Sequence, residues 1–139
     1  MEFDIIPLQG VGNIRFGMNP DEVRRHFGAA FISFKRTPNS QFPCDYFESL
    51  GTFFYYSADG KLEAIEFSGP ADPSLNGVKI LTLQFDTAKE LLESLDERTS
   101  VEVDTIISPR LGVSVYSSIA KEDTRSPIEM VMAFREGYL

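Results

Sequence analysis

Hydrophobic and polar positions alternate most clearly between Leu50 and Pro70. Phe53-Phe54-Tyr55-Tyr56 favours an extended backbone, Asp59-Gly60 supplies a turn, and Leu62 to Phe67 brings the chain back before Gly69-Pro70 stops it. A two-residue turn pairs Phe54 with Ile65 and Tyr56 with Glu63, whereas a bulged turn sets Phe53 against Ile65. Either register leaves more aromatic surface than one face of a hairpin can hide. The best helix start is Asn19-Pro20-Asp21-Glu22: a capping asparagine, proline at the first helical position, and glutamate completing a capping box. Val23 and Phe27 form the apolar pair of this short helix and Gly28 ends it.

Around these anchors, Phe3 to Leu8 is expected to be an edge strand limited by Pro7. Ala30, Ile32 and Phe34 alternate as a strand, 36–43 is an exposed loop, and Tyr46-Phe47 is another strand. Beyond Pro70 the order returns. Val78 to Phe85 reads as a strand. Thr87 and Glu90 have capping-box spacing ahead of an Ala88, Leu91, Leu92, Leu95 stripe. Val101, Val103, Thr105 and Ile107 alternate up to Pro109. Leu111-Gly112 then parallels Leu50-Gly51, Val113 and Val115 continue extended, 117–127 is a polar loop, and Ile128 to Phe134 closes the pattern. The expectation is a single α+β domain spanning 1–139. Its internal repeat halves are approximately 11–70 and 76–139: two tandem β-α-β-β-β units forming an antiparallel sheet, both helices packed on one face and the opposite face partly open.

Two quoted stretches, NIRFGMNPDEVRRHFG and LGTFFYYSADGKLEAIEFSG, resemble small bacterial immunity-type proteins whose half-repeat joins a capped helix ending in glycine to a Leu-Gly strand and its return. The layout is similar also to the helix-plus-sheet repeats of the outer-membrane assembly lipoprotein BamE and of β-lactamase inhibitory proteins. The resemblance implies a binding scaffold and, by analogy, a cognate toxin as partner. It covers 12–28 and 50–69 well and the second half in outline.

Charge changes the picture in one direction. With 13 Lys plus Arg against 21 Asp plus Glu, the net charge is -8, which argues against nucleic acid or an anionic membrane and suits a basic protein partner. Cys44 is the only cysteine, so an internal disulfide and a cysteine-based metal site are excluded. Glu2 and Asp4 stand where a secretory signal needs positive charge, and no apolar run is long enough to span a bilayer, so a cytoplasmic location is expected.

Catalytic chemistry has little to draw on. His26 is the only histidine and lies on the short helix; Gly10-Val11-Gly12 lacks the third glycine of a dinucleotide fingerprint, position 15 being Arg15. Glu63 and Glu66 fall on opposite faces of one strand. No catalytic, metal or cofactor residues are assigned. The candidate partner-binding residues are Tyr46, Tyr55, Tyr56 and Tyr116, which suit interface cores, and Asp45, Glu48, Glu63 and Glu66, which suit a basic partner. The expected function is a cytoplasmic inhibitor, an immunity protein that neutralises a toxin by occlusion. The alternative is a non-catalytic structural or adaptor domain, a homodimer through the same sheet face.

Overall fold

A computed structural model describes residues 2–40 and 42–139. Thirteen strands and two α-helices follow one another along these residues. Strands β1 (Glu2–Ile6), β2 (Gly10–Val11) and β3 (Ile14–Arg15) precede helix α1 (Pro20–Arg24). Then come β4 (Ile32–Phe34), β5 (Cys44–Phe47), β6 (Thr52–Tyr56) and β7 (Leu62–Phe67). The hairpin β8 (Asp72–Leu75) and β9 (Val78–Lys79) leads into α2 (Phe85–Leu95). The last four strands are β10 (Ser100–Glu102), β11 (Thr105–Ser108), β12 (Val113–Tyr116) and β13 (Met130–Phe134).

The expected helix-covered sheet is not what forms. Strands make up 37% of the chain and helices 16%, and there are two sheets. One has eight antiparallel strands in the order β10-β11-β12-β13-β7-β6-β5-β4; the other has five, β3-β2-β1-β8-β9. The inner face of the large sheet shares one core with the small sheet and with Val23 of α1 and Phe85, Ala88 and Leu92 of α2, so the expected two-helix layer gives way to a mixed cover in which the second sheet takes part. Phe3 and Ile5 of β1, Val11 of β2, Ile14 of β3 and Leu75 of β8 are buried with Phe47, Phe54, Ile65, Phe67, Val113 and Val131 in one core. Phe3 and Phe67 meet across the layers with ring centroids 5.1 Å apart.

Several elements depart from expectation for identifiable reasons. β1 is the central strand of its sheet, parallel to β8 and antiparallel to β2, because Pro7 falls just outside it and removes no ladder hydrogen bond. The Val78–Phe85 run is not one strand: β9 gives way to a 3-10 turn over Ile80–Thr82, and α2 begins at Phe85. Gln84, not Thr87, precedes that helix. Its first amides are satisfied by neighbouring carbonyls, Phe85 N donating to Ser126 O at 2.8 Å and Asp86 N to Thr124 O at 2.8 Å. The 101–107 alternation is a hairpin, broken where Val103 takes φ +54°.

At α1 the start is as expected but the end is not: the helix stops at Arg24, before Phe27 and Gly28, and in the hairpin Tyr56 pairs with Leu62 and not Glu63. The α1 capping box is complete, with Glu22 N donating to Asn19 Oδ1 at 2.9 Å and Asn19 N to Glu22 Oε1 at 3.2 Å. In the central hairpin Phe54 faces Ile65. The register then shifts between Tyr55 and Tyr56, which pair with Ala64 and Leu62, leaving Glu63 as the extra residue of a bulge.

The large sheet consists of two four-strand meanders, β4 to β7 and β10 to β13, joined along β7 and β13 with Glu66 opposite Met132. Each meander is closed at a left-handed glycine. Ser68 N donates to Gly51 O at 2.9 Å, and Phe134 N to Gly112 O at 2.8 Å. Gly51 has φ +59° and Gly112 +63°, and a Cβ at either would collide with backbone oxygen, of Ser68 and Phe134 respectively.

Candidate functional site

Alternation divides β6 between the two faces of its sheet. Thr52, Phe54 and Tyr56 point to the core, while Phe53 and Tyr55 point outward. The register carries the outward row across the whole sheet: Ile32, Tyr46, Phe53, Glu66, Met132, Ser114, Ile107 and Ser100 stand opposite one another in turn. Its first half is aromatic. Tyr46 stacks on Phe53 with centroids 4.1 Å apart and planes 20° apart; Phe53 and Tyr55 are 6.0 Å apart and nearly parallel at 4°. Phe34 meets Phe53 edge-on at 6.1 Å. The Arg36 guanidinium lies 4.0 Å from the Tyr55 ring centroid, a cation–π contact that holds the start of the 36–43 loop over the sheet.

Polar groups are built into this band. Tyr55 Oη donates to Glu66 Oε2 at 2.9 Å. Burial, then the Glu66 charge and that hydrogen bond, push the Tyr55 phenol well above its ordinary pKa. It is therefore a fixed donor that orients the carboxylate. Burial likewise raises the Cys44 thiol beside it. At the β4 margin a shallow groove of about 470 Å³ is lined by Ala30, Phe31, Ile32, Tyr46, Glu48 and Ser49.

No family model, no curated protein and no solved structure matches the chain. Its own geometry is what bears on function.

That geometry separates the eight candidate residues. Tyr46, Tyr55 and Glu66 share the aromatic half of the outward face, where Tyr46 and Glu66 are half-buried and Tyr55, only 7% exposed, is enclosed with Cys44, Ala64 and Phe134 in a small second core. Tyr116 lies on the same face in the other meander, opposite Met130 and Thr105. Glu48 is exposed in the turn after β5 and lines the groove. Glu63 occupies the bulge, where Arg135 Nη2 approaches its Oε2 at 3.3 Å. Asp45 and Tyr56 face the core instead, 1% and 7% exposed, because they alternate with Tyr46 and Tyr55. Neither belongs to a surface patch.

Asp45 accepts both arms of the Arg24 guanidinium, Nε to Oδ2 at 2.7 Å and Nη2 to Oδ1 at 2.8 Å, tying α1 to the sheet. This hydrogen bond leads the effects that raise the Arg24 pKa. Tyr56 Oη is the single described buried side-chain polar atom without a hydrogen-bond partner. His26 is exposed in the turn that follows α1, with Nδ1 2.9 Å from the Glu22 carbonyl oxygen.

Phe53, Ile32 and Met132 belong to the outward band and were not among the candidates. The signal for Phe53 was present: once Phe54 and Tyr56 are core, alternation forces Phe53 out with Tyr55. Met132 depended on the β7–β13 pairing, which no local pattern announces.

Proposed function

We propose that this chain is a non-catalytic protein-binding domain that inhibits a basic partner by covering it, in the manner of an immunity protein acting on a cognate toxin in the cytoplasm. The outward aromatic band carries this reading. Tyr46 and Phe53, both half-buried, form a stacked platform on an eight-stranded sheet, backed by the buried Tyr55 ring, and rigid aromatics lose little conformational entropy when they dock. Glu66, held by Tyr55, and Glu48, at the groove, place negative charge in and beside it. The net charge of -8 favours encounter with a basic surface. The resemblance to immunity-type proteins supplies the class of partner.

The test is co-purification from the native host with a tagged chain, repeated with Phe53→Asp and Tyr46→Ala. A basic protein recovered near stoichiometry with the wild type, lost with Phe53→Asp and inhibited by the wild type in a toxicity assay is the expected result. Equal recovery with the folded variants, or recovery of nothing, refutes the reading.

A further inference from the structure

The two edges of the large sheet are built differently. β10 presents Ser100 and Glu102 on the outward face and Val101, 41% exposed, on the other, so a charge stands on the outward row that would have to pair. β4 presents Ile32, 62% exposed, and Phe34, 39% exposed, on the outward face, and Phe31, 39% exposed, precedes it. Its charges lie beyond its ends and have opposite signs. Lys35 follows the strand, Arg36 being turned back onto Tyr55, while Glu48 lines the groove beside Ala30 and Phe31 at its start, where the Arg24 guanidinium over the Phe31 ring is already paired with Asp45. A strand that is positive at one end and negative at the other is complementary to an antiparallel copy of itself.

We propose that β4 is a homodimer edge, joining two copies of this chain into one continuous sheet about a twofold axis at Ser33. In that register Ile32 of each copy stands opposite Phe34 of the other, so both exposed apolar side chains gain a cross-strand neighbour. Lys35 of each copy is carried toward Phe31 and Glu48 of the other, twice per dimer. A foreign basic strand would satisfy Glu48 but leave Lys35 facing like charge; a second copy satisfies both ends. Because the axis is perpendicular to the sheet, the aromatic bands of the two copies face the same side. The dimer takes up Glu48 and its groove, leaving Tyr46, Phe53 and Glu66 on that shared side for whatever it binds.

Sedimentation velocity on the full chain across a wide concentration range tests it, with circular dichroism confirming the fold of each variant. The wild type is expected to shift from monomer to dimer as concentration rises. Ile32→Lys, Lys35→Glu and Glu48→Lys each lose the dimer, the double variant Lys35→Glu/Glu48→Lys regains it, and Phe53→Asp leaves it unchanged. A wild type that stays monomeric throughout overturns the proposal. So does a dimer that survives Ile32→Lys, one lost with Phe53→Asp, or a double variant that fails to recover.

Discussion

Replacing Arg24 by Met removes the two-pronged hydrogen bond to Asp45 while keeping most of the aliphatic stem. The consequence follows from the asymmetry of the pair. Asp45 is 1% exposed on its side chain and Arg24 30%, so the substitution strands a buried carboxylate next to a partly open site. Breaking a buried pair from one side costs about 3–5 kcal/mol, and the partial access of water at Arg24 places this one near the lower end. A helix of five residues contributes little of its own stability, so α1 depends on this tether and on Val23, which is fully buried. For a chain of 139 residues, with a total stability of about 10 kcal/mol, the variant stays folded but measurably weaker. Urea unfolding at neutral pH, followed by far-ultraviolet circular dichroism and tyrosine fluorescence, measures it; the sequence contains no tryptophan. The expected loss is about 3 kcal/mol, with Arg24→Met/Asp45→Leu recovering most of it because no charge is then left unpaired. A loss below about 0.5 kcal/mol for Arg24→Met would show that the pair behaves as an exposed ion pair, and the argument would fail.

Tyr56→Phe removes a buried hydroxyl that makes no hydrogen bond, so stability is expected to hold or to rise by about 1 kcal/mol in the same urea assay. Asp96 governs the acid limb. Burial pushes its pKa up, but Ser108 Oγ at 2.7 Å and the amides of Arg98 at 2.8 Å and Arg110 at 3.0 Å outweigh that and hold it below the ordinary carboxylate range. A lowered folded pKa means stability that is present above the unfolded value of about 4 and is lost as pH falls through the folded one. Asp96→Asn is therefore expected to be destabilised relative to wild type at pH 7, with the gap closing below about pH 4; a gap independent of pH would refute this.

What could be read from the sequence was what neighbours along the chain decide. Asn19, Pro20 and Glu22 specify a helix start through contacts within one turn, and they do so in the structure. Phe54 opposite Ile65 was one of two registers open to the hairpin, and the bulge at Glu63 is what sets it. The failures share a different cause. Val78 to Phe85 has the composition of a strand, yet Phe85 and Asp86 find carbonyl partners in the 124–126 loop, a tertiary contact that overrides local preference. Val101 to Ile107 alternates without interruption, and only the left-handed Val103 betrays the turn. The central position of β1 rests on pairing with β8, a strand whose Asp-Pro-Ser-Leu sequence carries no β signal at all. The same limit applied to the aromatic band. Tyr46 and Tyr55 were legible as neighbours, whereas the assignment of Asp45 and Tyr56 to the core needed the second sheet that covers them.

The β1–β8 pairing also has a temporal meaning. Ser74 Oγ donates to Asp4 Oδ1 at 2.7 Å across 70 residues, and Arg135 reaches Glu63 across 72. Both sheets are therefore completed only by partners that arrive about half a chain later. Loop closure on that scale precedes any reward in contacts, which places the domain among slow folders. Until β13 docks, β7 is an open edge bearing Ile65 and Phe67, two side chains that end fully enclosed. A nascent chain emerging from the ribosome would hold that edge exposed for most of the second meander's synthesis. It is the interval in which a chaperone, or another copy of the same chain, has access to it.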